Sequence, residues 1–94
     1  MRKGYHAALK EVFHAHLLQA RKSKKKTQFA MGLLLEMDER SYRDLEWQVS
    51  GCSAVTLVLF LLRCCEDPKG FLDEVQVAFA EVSQAEEHPP FVKP

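Results

Sequence analysis

The sequence predicts an all-α domain of five short helices. Apolar residues recur every three to four positions along most of the chain, and helix-capping residues precede four of these stretches. A chain of 94 residues is also too short for two separate cores. With 47% apolar and 28% charged residues, its composition is that of a folded chain. We therefore expect one domain over residues 1–84 and a mobile, proline-rich tail over residues 85–94.

Periodic apolar residues and N-capping residues predict each helix in turn along the chain. A stripe of apolar residues between Tyr5 and Ala20 predicts the first helix, and the charged run Ser23–Lys26 ends it. Later helices begin after the capping residues Thr27, Asp38, Ser53 and Asp67. Pro68 suits the first position of the fifth helix. The predicted helices cover about residues 6–22, 28–36, 39–47, 54–65 and 68–83.

Several classes of protein are excluded or disfavoured. The longest apolar stretch, Ala54–Leu62, is far shorter than the roughly 20 residues of a membrane-spanning helix. No secretory signal follows Met1. The three cysteines are an odd number without a disulfide-framework spacing, which fits thiols in a reducing compartment. We expect a cytoplasmic protein.

The charge is unevenly distributed although its sum is zero. Residues 1–26 contain eight Lys and Arg residues against one acid, whereas residues 64–94 contain two against seven. A basic N-terminal third suggests an anionic partner for one face. The alternative is an ordinary solvated surface.

No arrangement of residues points to catalysis or to a metal. His14 and His16 lie about 200° apart around a helix and cannot both face one ion. The adjacent pair Cys64 and Cys65 lacks the spacer of a zinc or redox motif, which favours a packing role. We expect no enzyme activity, no cofactor and no metal site. Trp47 suits packing against the next loop or, less favoured, contact with a nucleic-acid backbone.

The segment from Arg21 to Glu46 has the layout of a helix-turn-helix. It reads Arg-Lys-Ser-Lys-Lys-Lys-Thr-Gln-Phe-Ala-Met-Gly-Leu-Leu-Leu-Glu-Met-Asp-Glu-Arg-Ser-Tyr-Arg-Asp-Leu-Glu. This resembles the consensus of the phage-repressor and Cro-like (Xre-type) family, Arg-Lys-x-x-Gly-Leu-Thr-Gln-x-x-Leu-Ala-x-x-Leu-Gly-Val-Ser-x-x-x-Ile-Ser-x-Ile-Glu. The two align without a gap, and Arg21, Thr27, Gln28, Leu35 and Glu46 are among the residues that they share. Ser53 and Thr56-Leu57 fit the family's entry into its fourth helix, so the resemblance covers roughly residues 10–82.

The resemblance implies a lambda-repressor-like fold and a DNA-binding transcriptional regulator whose third helix enters the major groove. It implies a salt bridge between Arg21 and Glu46, beneath the DNA face. It also implies phosphate contacts from Thr27 and Gln28. The implied base-facing residues are Glu39, Arg40 and Asp44, with Arg43 beside them. Lysines of the run 22–26, among them Lys24 and Lys25, either add phosphate contacts or are simply solvated.

The chain departs from the consensus at its turns and in the charge of its third helix, and the acidic third helix supports an alternative function. Glycines of the consensus are replaced by Lys25, Glu36 and Gln48. Three acids, Asp38, Glu39 and Asp44, lie on or near the face that would meet phosphates, where each repels DNA unless it accepts a hydrogen bond from cytosine. The alternative is a protein-interaction module that keeps the scaffold without DNA binding.

The fourth helix has more apolar residues than one buried face needs. We therefore expect a homodimer through helices 4 and 5, which would place two recognition helices about one DNA turn apart. The alternative is that helix 5 alone covers the surplus.

Overall fold

The computed structural model describes residues 2–48 and 51–87, and these residues form five α-helices and no strand. The predicted all-α class is confirmed for this part of the chain. No helix in it is both long and apolar enough to span a membrane. The helices are α1 (Arg2–Lys24), α2 (Gln28–Leu34), α3 (Glu39–Glu46), α4 (Ala54–Arg63) and α5 (Pro68–Glu87).

The helix starts confirm the predicted caps. The Thr27 hydroxyl accepts a hydrogen bond from the backbone N–H of Ala30, and the Asp38 carboxylate accepts one from that of Ser41. Ser53 and Asp67 cap α4 and α5 in the same way. Capping depends on residues three positions apart, so the sequence alone is enough to locate these starts.

The ends of the central helices differ from the prediction. Helices α2, α3 and α4 end at residues 34, 46 and 63, rather than at 36, 47 and 65. The chain enters the left-handed region within two residues of the end of three helices, with φ of 53° at Lys25, 58° at Glu36 and 61° at Gln48. Such a residue terminates a helix by turning its next amides back onto the last carbonyls. The N–H of Met37 accordingly donates to Gly32 at 2.9 Å.

Substitution of Lys25 by glycine is expected to raise the free energy of unfolding by about 1 kcal/mol, because a side chain in the left-handed region costs energy that glycine does not. Lys22→Gly is the matched control, since it removes the same side chain from inside α1. That change should lower stability by about 1 kcal/mol. Urea denaturation measures the free energy of unfolding of both variants. If Lys25→Gly is as unstable as Lys22→Gly, Lys25 is not strained in the parent.

Helices α1 and α5 are longer than predicted, and they pack against each other in antiparallel orientation. The Tyr5 ring lies 4.8 Å from that of Phe79, and the Tyr5 hydroxyl is bonded to Ser83. These contacts carry α1 back to Arg2, against a predicted start at residue 6, and carry α5 on to Glu87, against a predicted end at 83. Residues 85–87 of the predicted tail are therefore helical, and residues 88–94 lie outside the described residues.

The core lies where all five helices meet. Phe60 of α4 packs between Phe13 of α1 and Phe71 of α5, with ring centroids 5.2 and 6.2 Å away. Gly32 lets α2 and α3 approach closely, because a Cβ at this position would lie 2.9 Å from the carbonyl oxygen of Met37. The other buried apolar residues are Leu17, Met31, Leu35, Tyr42, Leu45 and Cys64.

One face of α4 is left uncovered by the other residues that the structure describes. Val55, Val58 and Leu62 lie on one side of the helix, at spacings of three and four residues, and are between 52 and 76% exposed. Helix α5 therefore does not hide the surplus apolar surface that the sequence indicates. We call these three residues the α4 row.

Candidate nucleic-acid interface

The carboxylate of Glu46 joins the first three helices. Its Oε2 accepts hydrogen bonds from Arg21 Nε and from the Tyr42 hydroxyl, the latter at 2.6 Å. Its Oε1 accepts from Arg21 Nη2 at 3.1 Å and from Gln28 Nε2 at 3.0 Å. The structure thus brings together Arg21 of α1, Gln28 of α2 and Glu46 of α3. This arrangement fixes α3 against the helices that precede it.

Burial of this group is unequal between the partners. The Glu46 side chain is 4% exposed, whereas that of Arg21 is 25% exposed. Burial by itself raises the pKa of Glu46, but the hydrogen bonds from Arg21, Tyr42 and Gln28 outweigh it and hold that pKa below its ordinary value. The carboxylate is therefore ionised and fully hydrogen-bonded at neutral pH.

The outward side of α3 carries most of the predicted base-facing residues. Tyr42, Leu45 and Glu46 occupy its inward side and are buried. Arg40 is exposed, and no carboxylate among the described residues pairs with it. One turn further on, Arg43 is about two-fifths exposed and lies 4.0 Å from Glu39. The Nε of Arg43 is buried without a partner in the described part of the chain, so only its terminal nitrogens are available to a ligand.

The three acidic residues on or near this surface, Asp38, Glu39 and Asp44, differ in their contacts and exposure. Asp38 caps α3, and its hydrogen bonds from Ser41 lower its pKa, which keeps the carboxylate charged at the helix N-terminus. Glu39 is exposed and partly neutralised by Arg43. Asp44 is half-buried on the outward side of α3. The surface is therefore of mixed charge.

The beginning of α2 provides fewer free donors than the resemblance implies. One hydrogen of the Gln28 amide is used by Glu46, which leaves one for a phosphate. The hydroxyl of Thr27 accepts the capping bond and keeps its own hydrogen free. Lys25 is exposed, whereas Lys24 is partly buried with its amine 3.8 Å from Glu66. Lys25 is thus the more accessible cation.

Comparison of the chain with protein-family models, with curated proteins and with solved structures gives no match. The function is therefore argued from the residues and their geometry.

A second clamp, from α1 to the end of α3, is not predicted by the sequence. The Nε2 of His14 donates a hydrogen bond to the backbone carbonyl of Glu46. Its Nδ1 accepts a hydrogen bond from the side-chain amide of Gln48 at 3.0 Å. The two bonds lie on either side of Trp47. No local signal announces them, because the partners are more than 30 residues apart along the chain.

Trp47 itself is 65% exposed. The packing role favoured from the sequence is therefore wrong. The indole lies on the outward side of α3, away from the buried residues Tyr42, Leu45 and Glu46. His16, the other histidine that the sequence singles out, packs against Phe71, and its Nε2 lies 3.0 Å from Glu74.

Proposed function

We propose that this chain is a sequence-specific DNA-binding transcriptional regulator of the Xre type. In this proposal α2, the turn at residues 35–38 and α3 form a helix-turn-helix, and α3 enters the major groove. The observation that carries it is the Glu46 carboxylate, because its bonds to Arg21 and Gln28 hold α3 with Arg40 and Arg43 outward. A fixed helix that presents two arginines beside Glu39 and Asp44 suits a groove that offers both acceptors and donors.

The backbone at the helix ends adds support for the family assignment. The consensus has glycine after each of the first three helices. This chain has Lys25, Glu36 and Gln48 at those positions, and all three adopt the left-handed conformation that favours glycine. The chain thus keeps the backbone geometry that the consensus glycines serve, although it has replaced the glycines.

In the proposed complex the residues divide their roles. Phosphate contacts come from Thr27, Gln28, Lys24 and Lys25, and Arg40 contacts a guanine. Glu39 and Asp44 either accept from cytosine or reduce affinity by repulsion. A cytoplasmic location belongs to the same proposal, and it agrees with three free cysteines.

One observation favours the protein-interaction module as a second candidate. Phe29 and Leu33, four residues apart on α2, are 55 and 60% exposed. Exposed apolar pairs of this kind are typical of surfaces that bind another protein. The two candidates differ in salt-dependent affinity for duplex DNA, because counterion release steepens that dependence for each phosphate contact. A salt titration of binding to random-sequence duplex therefore tests the proposal.

We further propose that two copies associate through the α4 row, with α5 beside it, which would place two recognition helices about 34 Å apart. The row has no charged residue between Val55 and Leu62, so a second copy of the same row is its best complement. Light scattering at roughly tens of micromolar should then give a dimer. Val58→Asp should give a monomer, whereas Leu33→Asp, an equally exposed change on α2, should not. A monomeric parent would rule the dimer out.

A further inference from the structure

Trp47 lies in line with the cations of the proposed interface. It stands four residues after Arg43 and seven after Arg40, so the three share the outward side of α3. The indole is 65% exposed, in a chain that has no other tryptophan. Tryptophan and arginine are enriched among the few residues that carry most of the binding energy of an interface.

The backbone of Trp47 is held in place although its side chain is free. Its N–H donates to the carbonyl of Arg43 at 2.9 Å, which closes the last turn of α3. His14 bonds to the residues on both sides of it. The indole is therefore presented from a fixed point, and little backbone ordering is needed on binding.

Helix geometry places this side chain near the edge of the groove. Arg40 and Trp47 are seven residues apart, which is about 10 Å along a helix axis. In a helix-turn-helix the N-terminal residues of the recognition helix contact the base edges, so a helix with Arg40 there has Trp47 at its other end, nearer the bordering strand. That strand presents deoxyribose rings and phosphate oxygens. An indole suits both, since its ring is apolar and its N–H only donates.

We propose that Trp47 is a DNA-backbone contact, with the indole against a deoxyribose and its N–H donated to a phosphate oxygen. The inference rests on the proposed function and adds an uncharged residue to the interface. Because no charge is involved, the loss of Trp47 weakens binding without changing the number of counterions released. This separates its contribution from that of the lysines.

The test uses the full chain and a fluorescein-labelled duplex of random sequence. Anisotropy measures affinity across salt, and acrylamide quenching of Trp47 with unlabelled duplex measures its accessibility. We expect the duplex to protect the indole, and Trp47→Ala to weaken binding roughly tenfold with an unchanged salt slope. Trp47→Phe keeps an aromatic ring and loses the N–H, so it should fall between the parent and Trp47→Ala. Gln19→Ala, an exposed change on α1, should bind like the parent.

Three results would overturn the inference. If the parent binds DNA while Trp47 stays unprotected and Trp47→Ala keeps full affinity, the inference fails and the proposed function stands. If the parent does not bind DNA at all, the proposed function fails as well. If Trp47 emission instead depends on protein concentration without DNA, the residue belongs to a protein interface. Quenching uses the unmodified chain, so it decides the matter even where Trp47→Ala does not fold.

Discussion

Replacement of Arg21 by alanine is expected to lower the free energy of unfolding by about 3 kcal/mol. The change leaves the Glu46 carboxylate, which is 4% exposed, without its charged partner. Tyr42 and Gln28 still donate to it, but neither compensates a buried negative charge. The effect is placed at the lower end for buried pairs because Arg21 is itself a quarter exposed.

Urea denaturation with two control variants measures this effect. Arg40→Ala removes the same side chain from the exposed side of α3 and should stay within about 0.5 kcal/mol of the parent. Arg21→Lys should fall in between, since an ammonium keeps the charge without the fork of donors. If Arg21→Ala is as stable as Arg40→Ala, the ion pair between Arg21 and Glu46 does not stabilise the fold.

The Glu46 carboxylate makes the protein less stable as the pH falls. The pKa of Glu46 is below its ordinary value of 4.5 in the folded chain, so the unfolded chain binds a proton first on acidification. Glu46 therefore contributes stability above pH 4.5 that is lost as the pH falls through its folded pKa. The Arg21→Ala variant lacks the main hydrogen bond that lowers this pKa. Its free energy of unfolding should therefore fall less on acidification than that of the parent.

Arg40→Ala is expected to remove about 1–3 kcal/mol of discrimination at one base pair. The guanidinium is exposed on α3 and unpaired among the described residues, so it is free to donate to guanine O6 and N7. Binding to a randomised library, followed by sequencing of the bound fraction, measures the preference. Relaxed preference at a single position is the expected result, and an unchanged profile would exclude Arg40 as a base contact.

A lysine variant provides the contrast. Lys24→Gln with Lys25→Gln should weaken all sequences alike and flatten the log–log salt slope by up to about 1.8, at 0.9 for each phosphate contact. Lys25 should account for most of it, because Lys24 lies near Glu66. Lys69→Gln, an 86% exposed cation on α5, is the control and should leave the slope unchanged.

The sequence predicts those features whose causes are local. Thr27 and Asp38 act on amides three residues away, so both helix starts follow from the printed residues. The helix ends do not, because Lys25 and Glu36 occupy conformations that the sequence signal reserves for glycine. The length of α1 was also hidden, because the contact of Tyr5 with Ser83 joins residues 78 positions apart.

The same distinction applies to the candidate site. The spacing of Arg21 and Glu46 is visible in the sequence through the resemblance. The sequence does not show that Tyr42 and Gln28 converge on the same carboxylate, because that depends on how α2 and α3 pack. Exposure of Trp47 escaped prediction for a related reason, since an aromatic residue after an apolar stripe is more often buried.

The most direct test of the central claim is whether the unmodified chain binds random-sequence duplex DNA. Fluorescence anisotropy measures this binding at salt concentrations from about 50 to 200 mM. The account predicts measurable affinity at about 50 mM that falls linearly in the log–log plot. Glu39→Gln with Asp44→Asn should bind more tightly if these acids repel phosphate. Absence of binding at the lowest salt, by the parent and by this neutralised variant alike, would contradict a DNA-binding function and favour the protein-interaction module.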